Sequence, residues 1–268
     1  MSSVVDKANP EAITVLAPHR IRRPIMLQSW NNLAALHWSF PPAVVQGLLP
    51  PGFAVDTYDD KAWVGLLPFQ MERIRLPRLP PLGPLSTFPE TNIRTYIVDP
   101  AGRRGVWFFS LDVTRLLPAL VARVTYRLPY CWAEMTLTSS PRSGLTEWVY
   151  WSRRRWPKGE ARSHVIVRVG EAVPPEELTE LDHFLTARWA LGSTFAGNLV
   201  WAKVGHGPWT IHQAEATGWR ESLFSAVGLP SPTEAPYVRW SPGVDVLIER
   251  PRRILNSPMR PRWKFFRY

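Results

Sequence analysis

The chain has 268 residues, of which 45% are hydrophobic and 20% charged, a composition that is ordinary for a globular protein and too apolar for a disordered one. Its net charge of +10 keeps nucleic acids and anionic surfaces among the partner classes to weigh. No segment has the roughly 20 apolar residues that a membrane helix needs. We therefore expect no membrane association. A single cysteine excludes an internal disulfide, and this favours a reducing, cytoplasmic location.

The predicted elements are mostly strands. Residues 1–24 are expected to form a flexible lead-in, and the ordered chain to begin near Ile25. Helices are predicted over residues 42–48, 116–122, 175–191 and 221–227. Strands are predicted over residues 53–58, 62–75, 92–98, 105–113, 130–138, 146–156 and 162–169. A final hairpin is predicted over residues 237–248, with its turn at Ser241-Pro242-Gly243.

This order of elements indicates a mainly β (α+β) fold. The abundance of Trp (14) and Pro (28) favours strands with stiff connections over a helical bundle. We expect one domain over residues 25–250, built as a curled antiparallel β-barrel with a few peripheral helices. The helix of residues 175–191 is expected on its outside, and residues 251–268 are expected to form a basic tail.

The familiar catalytic and ligand-binding motifs are absent from the sequence. It has no Walker phosphate loop, no dinucleotide-binding glycine pattern, no paired cysteines, and neither His-Glu-x-x-His nor Gly-x-Ser-x-Gly. Its six histidines are scattered, so no metal site and no cofactor are predicted.

The densest polar cluster on a predicted strand is Glu90-Thr91-Asn92-Ile93-Arg94-Thr95-Tyr96. Strand alternation places Glu90, Asn92, Arg94 and Tyr96 on one face. That face is either solvated or the lining of a polar cavity. In a cavity, Arg94 could bind a carboxylate with two parallel hydrogen bonds, and a desolvated Glu90 could serve as acid or base.

A second polar group precedes the strand that starts near Tyr130. It comprises Arg123, Tyr126, Arg127 and Tyr130. One interpretation is a solvent-exposed surface of arginines with tyrosines packed beneath them. The other is an anion-binding wall in which the phenols donate hydrogen bonds, with Arg123 and Tyr126 binding substrate.

Several segments resemble the YqjF-like family of uncharacterised bacterial proteins. They are Leu49-Pro50-Pro51-Gly52-Phe53 with Asp56, Ala62-Trp63-Val64-Gly65 with Pro68-Phe69, residues 90–96, residues 105–112 and His206-Gly207-Pro208-Trp209. The resemblance runs from about Ile25 to Ile248. This family is similar to acetoacetate decarboxylases, which implies a curled antiparallel β-barrel with an internal acid-binding cavity.

The resemblance to the decarboxylases is partial at the catalytic residues. Phe88-Pro89-Glu90 resembles their glutamate after an aromatic residue, so Glu90 is the catalytic candidate. Their Schiff-base lysine has no counterpart, because residues 118–126 contain no lysine and Thr125 stands near its place. A second glutamate of those enzymes is replaced near Gly65. Without an amine no imine forms, so acetoacetate decarboxylase activity is not expected.

Three functional hypotheses follow. The first is a protein that binds a small keto or hydroxy acid and transforms it without a Schiff base. The second is a non-catalytic small-ligand binder or scaffold. The third, least favoured, is a nucleic-acid binder that uses its basic segments at residues 20–23 and 250–262. Homo-oligomerisation stays open at this stage.

Overall fold

The computed structural model describes residues 9–81, 83–115, 128–142, 144–157 and 161–254. Its helices are α1 Pro42–Gln46, α2 Glu180–Thr186 and α3 Leu223–Ala226, with 3₁₀ turns at Gly83–Ser86 and Pro175–Glu177. Its strands are β1 Pro24–Phe40, β2 Ala54–Val55, β3 Thr57–Tyr58, β4 Lys61–Arg75, β5 Phe88–Val98, β6 Arg104–Val113, β7 Tyr130–Arg142, β8 Leu145–Trp156, β9 Arg162–Ala172, β10 Ala190–Phe195, β11 Asn198–His206, β12 His212–Glu221, β13 Tyr237–Glu249 and β14 Arg252–Arg253. The predicted helix at 116–122 lies outside the described residues.

The strands form one curled sheet, which confirms the predicted fold class. The order is β14-β11-β10-β6-β7-β8-β9-β12-β13-β1-β4-β5-β2, and further pairings of β5 with β6 and of β11 with β13 return the sheet on itself. Most ladders are antiparallel, but β6 pairs in parallel with both β7 and β10. None of the helices in the described part of the chain is long and apolar enough to cross a membrane.

The buried apolar side chains of the described residues form four clusters, and β5 contributes to each of them. One core contains Leu36 of β1, Val64 of β4 and Ile93 of β5. Another contains Tyr96 of β5 together with Phe108 of β6. Strand β5 therefore faces protein on both sides, and its central residues are buried without interruption. This position explains why a strand rich in polar side chains is hidden from solvent.

Strand β13 corrects the predicted C-terminal hairpin. The segment Ser241-Pro242-Gly243 is not a turn, because β13 runs through it and pairs with β1 on both sides of it. Gly243 has φ +142° and lies opposite Asn31. A Cβ at this position would lie 2.5 Å from the Trp30 carbonyl oxygen. The glycine thus permits a close approach of the backbones of β1 and β13 and does not form a chain reversal.

The predicted helix over residues 175–191 is also wrong in its bounds. Helix α2 begins after Thr179, whose hydroxyl caps the backbone of Asp182 in a capping box. The helix ends at Thr186, and residues 190–195 form β10. One side of α2 packs against the sheet, where Phe184 contacts Tyr96 of β5.

The expected flexible lead-in is packed against the sheet where the structure describes it. Arg104 Nε donates to the Glu11 carbonyl at 2.7 Å, and Trp189 Nε1 donates to the Thr14 carbonyl at 3.1 Å. The packed chain thus extends well before residue 25. At the other end, the expected tail begins with β14, which pairs with β11.

Gly65 of β4 provides a test of the packing between β1 and β5. A Cβ on Gly65 would lie 2.7 Å from His37 Nε2 and 2.5 Å from Leu67 Cδ1. We expect Gly65→Ala to lower the free energy of unfolding by about 1–3 kcal/mol, because this buried space has no room for a methyl group. Gly218→Ala is the control, since its Cβ would meet only Ile166 Cδ1 at 3.7 Å. Equal stabilities of the two variants in urea unfolding would contradict this account.

Candidate functional site

Strand β5 positions the predicted polar face as the alternation requires. Its ladder with β4 is regular from Phe88 to Thr95. The register shift in its ladder with β6 falls between Ile93 and Arg94, where β6 skips one residue, Phe109. The extra residue belongs to β6, so the alternation on β5 is preserved. Glu90 and Arg94 are only 3% and 8% exposed, although both are charged side chain types.

Three of the predicted site residues line one cavity. Glu90, Asn92 and Arg94 border an internal space of about 60 Å³. Since one water molecule needs roughly 10–15 Å³ on this scale, the space suits a few waters or a compact organic molecule. The remaining walls combine polar and apolar side chains. The polar ones are Gln28, Thr186, Arg188 and His206, and the largely apolar majority are Met26, Trp30, Met71, Val106, Phe108, Leu111, Leu128, Tyr130, Ala190, Leu191, Val204, Trp209 and Ile248.

Of the other predicted site residues, only Tyr96 is described by the structure. Tyr96 lies further along β5 and is fully buried, and it is not among the residues that border the cavity. Arg123 and Tyr126 lie outside the described residues, as does Thr125. Their assignment as substrate-binding residues, and the anion-binding wall they were predicted to form, stay predictions.

Glu90 brings a carboxyl group to this cavity. Burial raises the pKa of Glu90 to about 8, a hydrogen bond with the Asn92 side chain opposes the rise, and the nearby Asp112 carboxylate adds to it. Asp112 itself binds Arg154 through two hydrogen bonds of 2.7 and 3.1 Å. Glu90 therefore carries its proton at neutral pH, as a general acid must.

Arg94 is held by the backbone of α2 rather than by a carboxylate. Its Nη2 donates to the Leu185 carbonyl at 3.3 Å, and the Tyr96 hydroxyl donates to the same oxygen at 3.0 Å. His37 Nε2 lies 2.7 Å from that hydroxyl. Burial, with Arg94 nearby, lowers the pKa of His37 well below its usual value. Because the Tyr96 hydroxyl uses its hydrogen to donate to the Leu185 carbonyl, its oxygen accepts a hydrogen bond from Nε2 of the neutral His37.

Arg188 is a site residue that the sequence analysis missed. It borders the same cavity, and its Nη1 donates to Asp56 Oδ2 at 2.6 Å while its Nε donates to the Phe184 carbonyl at 2.7 Å. Burial lowers the pKa of Arg188, and Asp56 opposes that change. Arg188 falls within the predicted helix of residues 175–191, whereas the observed α2 ends at Thr186, before this residue.

Five buried polar atoms of cavity-lining residues have no hydrogen-bond partner among the described residues. They are Trp30 Nε1, Glu90 Oε2, Asn92 Oδ1, Arg94 Nε and Arg188 Nη2. Buried polar atoms are nearly always satisfied, and an unsatisfied one costs about 1–3 kcal/mol. Five such atoms belong to the lining of one cavity, where water or a polar ligand could supply the partners that the described residues do not.

The donor set of the site does not suit a metal ion. Within the described ranges, no group of three or more His, Cys, Asp or Glu side chains could hold one. None of the described residues that line the cavity is a lysine. Lys61 and Lys203 are solvent-exposed, and Lys158 is outside the described residues. The chemistry available at the cavity is therefore anion binding by guanidinium groups and proton transfer by a carboxyl group.

Solved structures define the class of fold. The chain is similar to an acetoacetate decarboxylase-like enzyme from Sphingomonas wittichii, with TM-score 0.58 and 14% identity over 86% of this chain and 93% of that one. It is also similar to the enduracididine biosynthesis enzyme MppR complexed with pyruvate, with TM-score 0.57 and 13% identity over 88% and 92% of the two chains. An acetoacetate decarboxylase from Legionella pneumophila gives TM-score 0.56 and 11% identity over 89% and 91%. The fold is thus acetoacetate decarboxylase-like.

Sequence comparison then identifies the family. The family model DUF2071, described as an uncharacterized conserved protein, matches residues 27–245. The chain is also 34% identical to the uncharacterized protein YqjF of Bacillus subtilis over 224 residues, which is 84% of this chain and 90% of YqjF. The protein belongs to the DUF2071 family, and the resemblance to YqjF is confirmed.

The raised pKa of Glu90 predicts a specific pH dependence of stability. Between the ordinary value of 4.5 and about 8, the folded protein keeps a proton that the unfolded chain has released. Stability from this group is therefore lost as the pH rises through that window. Glu90→Gln does not ionise, so it should gain stability relative to wild type, by about 5 kcal/mol at most, between pH 5 and 9.

Chemical unfolding of both proteins across this pH range measures the difference. Glu171→Gln on β9 is the control, because Glu171 is solvent-exposed. A difference between Glu90→Gln and wild type that is constant with pH would show that Glu90 does not titrate in this window.

Proposed function

We propose that this protein binds a small keto or hydroxy acid in the cavity beside β5 and that Glu90 exchanges a proton with the bound acid. The observation that carries the proposal is the set of unpartnered polar atoms around that cavity, two of which belong to guanidinium groups. A carboxylate supplies the acceptors that Arg94 Nε lacks. A carbonyl or hydroxyl group further along the ligand supplies a partner for Glu90.

The positions of the two charged residue types fit opposite ends of one ligand. Glu90 and Arg94 are four residues apart on one face of β5, which corresponds to about 13 Å in an extended strand. Asn92 lies between them and offers Oδ1 as an acceptor. Arg94 then binds the carboxylate, and Glu90 acts on the carbonyl or hydroxyl end.

A non-catalytic binder uses the same cavity and the same guanidinium group. The raised pKa of Glu90 favours catalysis, because a carboxyl group that titrates near neutrality can both donate and accept a proton. MppR, whose fold is similar, is described in complex with pyruvate, and this favours a small keto acid as the ligand.

Binding and turnover by two variants test this proposal. Arg94→Lys should weaken acid binding more than tenfold, because an ammonium group cannot make two parallel hydrogen bonds to a carboxylate. Glu90→Gln should preserve binding, because Gln resembles the protonated carboxyl group, and should abolish turnover. Calorimetry measures the binding of pyruvate and other small keto and hydroxy acids. Turnover is measured by NMR as solvent deuterium incorporation at the carbon next to the carbonyl of the keto acids, where the ionised fraction of Glu90 removes a C–H proton to give the enolate and returns a deuteron from solvent.

Arg154→Lys is the matched control, since Arg154 is as buried as Arg94 and binds Asp112 instead of lining the cavity. If an acid that binds wild type binds both site variants and the control equally, the site is elsewhere. If Glu90→Gln leaves deuterium incorporation intact, Glu90 is not the proton-transferring group.

The absence of a site lysine yields a separate prediction. We expect none of Lys61, Lys158 and Lys203 to form an imine with a keto acid. Treatment with borohydride and a labelled β-keto acid, followed by peptide mass spectrometry, should find no labelled lysine. An acetoacetate decarboxylase treated in parallel is the positive control. A labelled lysine at any of the three positions would contradict this prediction and show that the protein forms a Schiff base.

A further inference from the structure

Two guanidinium groups at the cavity lie near the same aromatic ring. The Cζ atoms of Arg94 and Arg188 lie 5.7 and 4.7 Å from the centre of the Tyr96 ring. The Arg188 guanidinium also lies 4.3 Å from the centre of the Phe184 ring. Both arginines border the same cavity, and each has one buried nitrogen without a partner among the described residues.

The charges around this ring are not balanced. Asp56 is the carboxylate that pairs with Arg188, and it pairs with Arg104 as well, both at 2.6 Å. Arg94 has no carboxylate partner among the described residues. Its Nη2 donates to the Leu185 carbonyl instead. Two guanidinium groups therefore share one carboxylate, while Arg94 has none among the described residues, and Arg94 and Arg188 are both almost fully buried.

An unbalanced buried charge is costly, and an anion is the group that relieves the cost. Asp56 cannot supply it to Arg94, because it is committed to the other two arginines. Hydrogen-bonding capacity gives the same answer, since Nε of Arg94 and Nη2 of Arg188 are both donors and require an acceptor.

We infer that Arg188 and Arg94 together form a clamp for one carboxylate, and that Arg188 is the residue that restricts the cavity to anionic ligands. This inference rests on the proposed function and names the part of the ligand that the second arginine recognises. Asp56 and the Phe184 carbonyl position Arg188 through its other two nitrogens.

The walls away from the clamp define the rest of the ligand. They are mostly apolar, with side chains such as Val106, Phe108, Leu191, Val204 and Ile248. A second carboxylate placed against such walls would lose its hydration, and the polar groups among them, such as Gln28, His206 and Trp30 Nε1, carry no positive charge at neutral pH to balance it. The clamp therefore selects a monocarboxylic acid with a short aliphatic chain over a dicarboxylic acid.

The decisive measurement is the preference for an acid over its neutral amide. Pyruvate and 3-methyl-2-oxobutanoate are the probes, each compared with its primary amide by calorimetry. Wild type should bind each acid at least tenfold more tightly than its amide. Arg188→Gln should weaken acid binding more than tenfold and change amide binding less than threefold. Arg188→Lys keeps the charge and should show a smaller loss of the same sign.

Arg104→Lys is the matched control, because Arg104 shares Asp56 with Arg188 but does not border the cavity. It should change the acid-to-amide ratio less than threefold. A purely structural Arg188 would lower the melting temperature of its variants and leave this ratio unchanged, which would overturn the clamp.

Two further outcomes separate the inference from the proposal beneath it. If wild type binds no acid probe more tightly than its amide, the proposed function fails together with the clamp. If Arg94→Lys lowers the ratio and neither Arg188 variant does, only the role of Arg188 is overturned. Wild type alone supplies a test that needs no variant to fold, since 2-oxoglutarate should bind at least tenfold more weakly than 3-methyl-2-oxobutanoate. Tighter binding of 2-oxoglutarate would overturn the assignment of a single carboxylate.

Discussion

The constraint on which the site depends is the burial of β5 on both faces. A strand between two cores cannot expose its polar side chains to water, so each polar atom needs a partner inside the protein. On the face that includes Ile93 the strand contributes to an apolar core. On the other face it presents Glu90, Asn92 and Arg94, and this face meets a cavity instead of a packed neighbour. The unsatisfied atoms thus arise from the topology of the sheet and are concentrated in one place.

The surrounding structure holds the cationic end of this face rigidly. Gly65 leaves the space through which His37 reaches the Tyr96 hydroxyl. That hydroxyl and Arg94 both donate to the carbonyl of Leu185 at the end of α2. A chain of hydrogen bonds between strand and helix therefore fixes the orientation of a charged group whose own Nε has no partner. Such support by fixed neighbours is what a preorganised binding group requires.

The sequence predicts the periodic parts of this molecule and fails where one residue has two interpretations. Alternation alone placed Glu90, Asn92 and Arg94 on one face, because a regular strand leaves no other arrangement. It could not tell whether that face met water or protein, since burial on both faces comes from strands far away in the chain. Pro242-Gly243 is typical of a turn and also of a place where two paired strands approach closely. Only the position of the partner strand β1 distinguishes these two interpretations. Arg188 was missed because the residues around it resemble a helical repeat, whereas the observed helix ends at Thr186, before Arg188.

Anion binding at Arg94 would be coupled to the protonation of Glu90, because both side chains border one cavity. An anion bound at Arg94 would place negative charge in the same low-dielectric space as Glu90, and a nearby negative charge raises the pKa of a carboxyl group further. The ligand would thus hold the acid in its protonated form. Because linkage is reciprocal, the protonated protein would also bind the anion more tightly than the ionised one. Recognition of the carboxylate and retention of the proton would then support each other without a covalent bond to the protein. A chain that lacks the amine of the decarboxylases would in this way keep both anion binding and acid chemistry.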